Sequence, residues 1–320
     1  MVWLYFECNV WLRKWLVFMK VIQNLLFIVR SLFLLAFSSS SKNVEEIWIN
    51  KDGTGKYKST QDLSTLLPFI KMAMLSSIEE EEDALINNAS VKNAWLKKLK
   101  EIFTNNSADV SFVIEDMLIE MFAKKNAIFT FDSFQQKFFE RASKNSIEFT
   151  TIEKESLSSF FESISKSSLN IKMDVNEAYL IMTTKQAFTR LGNIMFSGLN
   201  ETVNVFSKVD NITNLRDKLQ IQQVKKMMGS IPQYVMKDDS IYVMRDPIDL
   251  DLMDGKAKQN FQIMKGIIGQ HTYKTIIHAP NTILSTNQAT ATYEGSTVTW
   301  EVPNEDLYDT SKDLDIEINF

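Results

Sequence analysis

Cysteine is almost absent from this chain. Cys8 is the single one in 320 residues, so neither an internal disulfide nor a cysteine-zinc site can form. Glycine (9) and proline (5) are scarce too, against ordinary usage of about 7% and 5%. That excludes collagen-like, low-complexity and glycine-looped nucleotide-binding designs. Basic surplus is also lacking: the formal net charge is −5 and the pI is 5.3, which argues against a protein that coats nucleic acid. An uninterrupted apolar run of about 20 residues, the length of a membrane-spanning helix, is missing, because Lys20 and Arg30 split the N-terminal stretch. What is present in quantity is core-forming residue, 45% hydrophobic, enough for one large domain or two ordinary ones.

The first forty residues carry the sharpest signal. Residues 1–37 are dominated by Val, Trp, Leu, Phe and Ile and carry +3, from Arg13, Lys14, Lys20 and Arg30 against Glu7, which leaves −8 for the remainder. Read from Met19, the segment has a basic start, the short apolar run Ser31 to Phe37, and Ala36-Phe37-Ser38 as a small-x-small cleavage box. The expectation is a leader over 1–38, either a signal peptide cleaved after Ser38 or a retained signal anchor, followed by an exported domain over 44–320. Met1 to Phe18 is then an over-extended start or an additional membrane-seeking piece. The stretch Leu35 to Ser41 has the context of a lipoprotein leader but holds serine where the lipidated cysteine belongs.

Beyond the leader the pattern predicts four hairpins. The first runs from Val44-Glu45-Glu46-Ile47-Trp48-Ile49 through Lys51-Asp52-Gly53-Thr54-Gly55 into Lys56 to Thr60, since Asp-Gly supplies the positive φ a tight turn needs. The others turn at Asn176-Glu177, Asp238-Asp239 and Glu294-Gly295. Helical spacing is expected over Leu63 to Leu75, with Pro68 at its start or break. It is also expected in the stripes Trp95, Leu99, Ile102, Phe103; Phe131, Phe134, Phe138; and Leu157, Phe160, Phe161, Ile164. The fold expected is α+β: a largely antiparallel hairpin sheet with amphipathic helices packed on one side, preceded by the apolar leader. Alternation of Leu314, Ile316, Ile318 and Phe320 with Asp313, Asp315, Glu317 and Asn319 marks a last strand. An outer-membrane barrel is set aside, because it needs such strands throughout.

Recognisable chemistries fail one by one. His271 and His278, seven apart in a strand pattern, face opposite ways and cannot share an ion. Asp249, Asp251, Asp254 and Gly255 misplace the glycine of a calcium loop, and position twelve is Asn260. Glu79 to Asp83 reads as a solvated acidic run. No G-x-S-x-G elbow occurs, and Gly53-Thr54-Gly55 belongs to a turn. Sequons at Asn88, Asn105, Asn200 and Asn211 would matter in a eukaryotic secretory chain and are expected accidents in an Asn- and Ser-rich bacterial one. No catalytic, cofactor-binding or metal-binding residue is therefore assigned, and no cofactor is implied.

Tyr273-Lys274-Thr275-Ile276-Ile277-His278-Ala279-Pro280-Asn281-Thr282-Ile283, with Asn287, Gly295 and Thr297-Val298-Thr299-Trp300, resembles the β-domain of LppM-type and related bacterial envelope lipoproteins. The opening Glu46 to Tyr57 is similar to the first hairpin of uncharacterised exported proteins of Gram-negative bacteria. The resemblance implies an envelope domain without known catalysis. Two functions are expected in order. The first is an exported, non-enzymatic binding or scaffolding protein of the periplasm or membrane-associated envelope, which meets a membrane through its leader and no nucleic acid. The second is an exported hydrolase whose carboxylates converge only on folding.

Overall fold

The computed structural model describes residues 43–68, 71, 101–102, 104–116, 165–194, 232–247, 272–303 and 305–320, together with short pieces between 136 and 162. Strands β1 (Asn43–Ile49), β2 (Gly55–Asp62), β3 (Ser107–Val113), β4 (Ser167–Asp174) and β5 (Tyr179–Phe188) join β8 (Thr272–His278), β10 (Ala291–Glu294) and β11 (Thr297–Pro303) in one large sheet. Its order is β10-β11-β8-β1-β2-β5-β4-β3. A smaller sheet holds β6 (Gln233–Lys237), β7 (Ser240–Met244), β12 (Ile316–Asn319) and β9 (Ser285–Thr286), in the order β6-β7-β12-β9.

This corrects the α+β expectation. About half of the described residues are strand, and the layer against the large sheet is a second sheet where helices were expected. The reason lies in non-local pairing. β12 joins β7 and β9 into one layer through registers such as Ile318↔Ile241 and Ile318↔Thr286, partners that local periodicity does not reveal. Of the expected helical stripes, Ile102 is described, and it is buried at the end of a helical segment. Trp95, Leu99, Phe103, the Phe131 series and the Leu157 series lie outside the described residues. A 3-10 turn over Ser64–Leu66 leads into a helix start at Leu67-Pro68, where proline's missing N–H costs no helical bond.

All four sequence hairpins form, as β1–β2, β4–β5, β6–β7 and β10–β11. One pairing departs from the antiparallel pattern: β1 runs parallel to β8, with Asn43↔Tyr273 and Ile47↔Ile277 in register. β1 thereby sits inside the sheet, between its own hairpin partner and a strand more than 200 residues away.

Alternation fixes which face is buried. Along β1, Asn43, Glu45, Ile47 and Ile49 point inward while Val44, Glu46 and Trp48 stay partly exposed. Ile47, Ile277, Val298 and Trp300 of the large sheet share one apolar core with Ile241, Val243, Ile316 and Ile318 of the small one. Each fully buried Ile or Leu in it contributes about 1.5–3 kcal/mol. A second apolar set is Phe112, Ile171, Met173 and Leu180 along β3–β5 with Leu63 just after β2. Between the two sets the inner face turns polar, at buried Ser59, Gln186 and Ser167.

The β1–β2 turn shows two different uses of glycine. Gly53 has φ +78, which closes the loop so that its N–H reaches the Asn50 carbonyl (3.0 Å). The Asp52 carboxyl accepts from the hydroxyl (2.7 Å) and the amide (3.0 Å) of Thr54, and these bonds hold its pKa below the usual carboxylate value. Gly55 is needed for space: a Cβ there would lie 2.0 Å from the Trp48 carbonyl oxygen and 2.4 Å from the Phe188 ring. Gly53→Ala should therefore cost about 1–2 kcal/mol, the price of left-handed backbone. Gly55→Ala should cost more, above about 3 kcal/mol, because backbone must move inside the ladder. Urea denaturation of the two variants checks the order, and equal costs would contradict the packing described.

Candidate functional site

The inner face of β1 places a carboxyl group in the core. Glu45 is 4% exposed, on the same side of the strand as Ile47 and Ile49. Tyr57 of β2 donates its hydroxyl to Glu45 Oε1 (2.8 Å). Tyr234 of β6, from the opposing sheet, donates to Glu45 Oε2 (2.6 Å). Tyr273 of β8 lies close enough for the charges of Glu45 and Arg245 to act on its phenol in opposite directions. Arg245, directly after β7, is 3% exposed. Its guanidinium carbon stands 4.2 Å from the Tyr273 ring centroid, a cation–π contact, and its backbone N–H donates to Asp315 Oδ1 (2.8 Å). Asn43, one inward position before Glu45, is also buried, with neither side-chain polar atom hydrogen-bonded among the described residues. Such a group costs about 1–3 kcal/mol.

The electrostatics are those of a sealed cluster. Burial first, and the negative charge of Glu45 second, push the hydroxyls of Tyr57, Tyr234 and Tyr273 well above their ordinary pKa of 10. Burial raises Tyr308 as well, with the Arg245 charge opposing. These phenols are held neutral; Tyr57 and Tyr234 donate to Glu45, and the Tyr234 bond crosses from the small sheet to the large one. Nothing on the sequence pointed to them. β1 has apolar residues in both phases, Val44 and Trp48 in one and Ile47 and Ile49 in the other, so the acid at Glu45 could not be assigned to the inside.

On the opposite face of the large sheet the described side chains are partly or fully exposed. Trp48 and His278, side by side in register, stack at 5.2 Å with planes 8° apart. The His278 Nδ1 shares a hydrogen bond with the Thr297 hydroxyl (3.1 Å). Glu46 accepts from Lys58 (2.8 Å) and Glu301 from Lys274 (2.9 Å), both across neighbouring strands. Lys56 and Lys185 stand on this face, exposed.

The sequence candidates fall as follows. His278 is in the aromatic stack, and His271 lies outside the described residues, as do Asp249, Asp251, Asp254, Gly255 and the acidic run Glu79 to Asp83. Among the described residues no group of three or more His, Cys, Asp or Glu could hold a metal ion. Asn105 is exposed at a bend before β3, and the other three sequon asparagines lie outside. The last strand forms as β12, an inner strand of the small sheet. Among the described residues no helix is long and apolar enough to cross a membrane. Comparison of the chain with protein-family models, with curated proteins and with solved structures finds no match.

The shifted tyrosines give a pH prediction with a definite sign. A phenol whose folded pKa lies above its unfolded value of about 10 keeps its proton more tightly in the folded state. Its contribution is complete below pH 10 and is lost as pH rises through the folded values. The fold should hold its thermal midpoint up to about pH 10 and lose it steeply above. Phenolate absorbance at the buried positions should then appear together with loss of sheet circular dichroism. Tyr57→Phe or Tyr234→Phe should flatten the alkaline limb. Phenolate absorbance from all tyrosines while the sheet signal is intact would contradict the sealed cluster.

Proposed function

We propose that the chain is an exported protein of the bacterial cell envelope whose β-sandwich body acts by binding. The observation that carries this reading is where the sandwich begins. β1, an inner strand of the large sheet, starts at Asn43, five residues beyond the expected cleavage point at Ser38. Every register partner of β1 lies within Gly55–Gln61 or Tyr273–His278. Removal of residues 1–38 as a leader therefore leaves each described strand its ladder.

A binding role is supported by how the polar groups are distributed. The strongest inward cluster is occupied internally, with Glu45 accepting from Tyr57 and Tyr234. The broad outer face of the large sheet keeps charged and aromatic side chains at the surface. The resemblance of Tyr273 to Trp300 to LppM-type envelope lipoproteins lies with the same reading, as does the lone Cys8, which leaves an oxidising compartment nothing to cross-link within the chain.

Fractionation of the tagged full-length protein, with intact-mass measurement of its N-terminus, tests the address. The expected result is a chain beginning at Ser39, or an intact leader held in the membrane fraction. A chain with Met1 intact in the soluble cytoplasm contradicts export.

A further inference from the structure

We infer that the outer face of the large sheet, at Lys56, Lys58 and Lys185, is a docking surface for the anionic headgroups of a phospholipid membrane. The inference rests on the envelope reading above. Three features on this face lead to it. First, Lys58 and Lys185 are directly opposite in the β2–β5 register, an arrangement of like charges that destabilises a sheet. Second, Glu46 neutralises Lys58, while Lys56 and Lys185 have no ion-pair partner among the described residues. Third, Trp48 is the direct neighbour of Lys56 across the β1–β2 ladder, which puts an amphipathic ring of the kind found at membrane interfaces beside that cation.

The surplus is local. Toward β11 the face carries the neutral pair Lys274–Glu301. Farther along the strands Lys172 lies opposite Asp109. The body beyond the leader carries −8, so an anionic surface repels the molecule as a whole and attracts it in one orientation only, with this corner of the sheet inward.

The chain supplies the reason to choose a membrane over a dissolved polyanion. Five peptide links separate Ser38 from Asn43 and span at most about 18 Å. Where the apolar leader, which carries +3, is retained as an anchor, it delivers β1 to within that distance of a bilayer. Cations near an anionic bilayer bind with a factor of about five each.

The test uses the full chain with vesicles of phosphatidylcholine alone or mixed equally with phosphatidylglycerol. The reactivity of each lysine toward an amine-acetylating reagent is read by mass spectrometry. Lys56 and Lys185 should react about fivefold more slowly with the anionic vesicles. Exposed Lys237 on β6 should be unchanged, and salt that shortens the Debye length to about 3 Å should erase the difference. Equal reactivity in both vesicles overturns the inference. So does equal protection of Lys237, or protection by dissolved polyglutamate but not by vesicles. If the chain fractionates with the envelope and no lysine is protected, this surface assignment falls and the envelope reading stands. A cytoplasmic chain removes the reading itself.

Discussion

One hydrogen bond ties the two layers together in a fixed alignment: the Tyr234 hydroxyl of the small sheet, 2.6 Å from the carboxyl of Glu45 in the large one. Apolar contact alone drives the sheets together but is nearly indifferent to a shift of one layer over the other. A carboxyl group in that interface is not indifferent. Taking it out of water costs several kcal/mol, and the cost is offset only where the Tyr57 and Tyr234 hydroxyls both reach it. Each such bond to a charged group is worth about 1.5–3 kcal/mol. The cluster therefore selects one packing over its neighbours more than it adds to total stability, and the Arg245 contact with Tyr273 extends the selection to the end of β7.

From that alignment follows the division of the large sheet into two unlike faces. With Glu45, Ile47 and Ile49 turned toward the small sheet, the period of two turns Glu46 and Trp48 outward. The parallel register with β8 brings His278 beside Trp48, and the antiparallel register with β2 brings Lys58 beside Glu46. The outer constellation is thus a consequence of the inner one. A slip of one residue in β1 would bury Lys-facing positions and expose the core.

Hairpins were legible from the residues because each is local. Asp-Gly, Asn-Glu, Asp-Asp and Glu-Gly turns stand between short alternating runs, and all four pair as expected. The layer arrangement was not legible. The small sheet depends on β12, whose partners on β7 and β9 lie far away in sequence, and the parallel β1–β8 pair has no local signature at all. The expectation of helices over the sheet followed from apolar stripes that, Ile102 apart, lie outside the described residues, and the described layer is built from strands instead. Glu45 was hidden because both phases of β1 carry apolar residues, so neither phase announced itself as the inside. Arg245 was hidden because a single arginine after a strand reads as a solvent-facing end.

A double-mutant cycle between Glu45→Leu and Tyr234→Phe, with unfolding free energies measured in urea at neutral pH, isolates the bond between the sheets. The two changes should be strongly coupled, by about 1–3 kcal/mol, because each removes one end of the same bond. Additive effects would mean that the carboxyl group and the phenol do not act on each other, and that the two sheets are held in place by apolar packing alone.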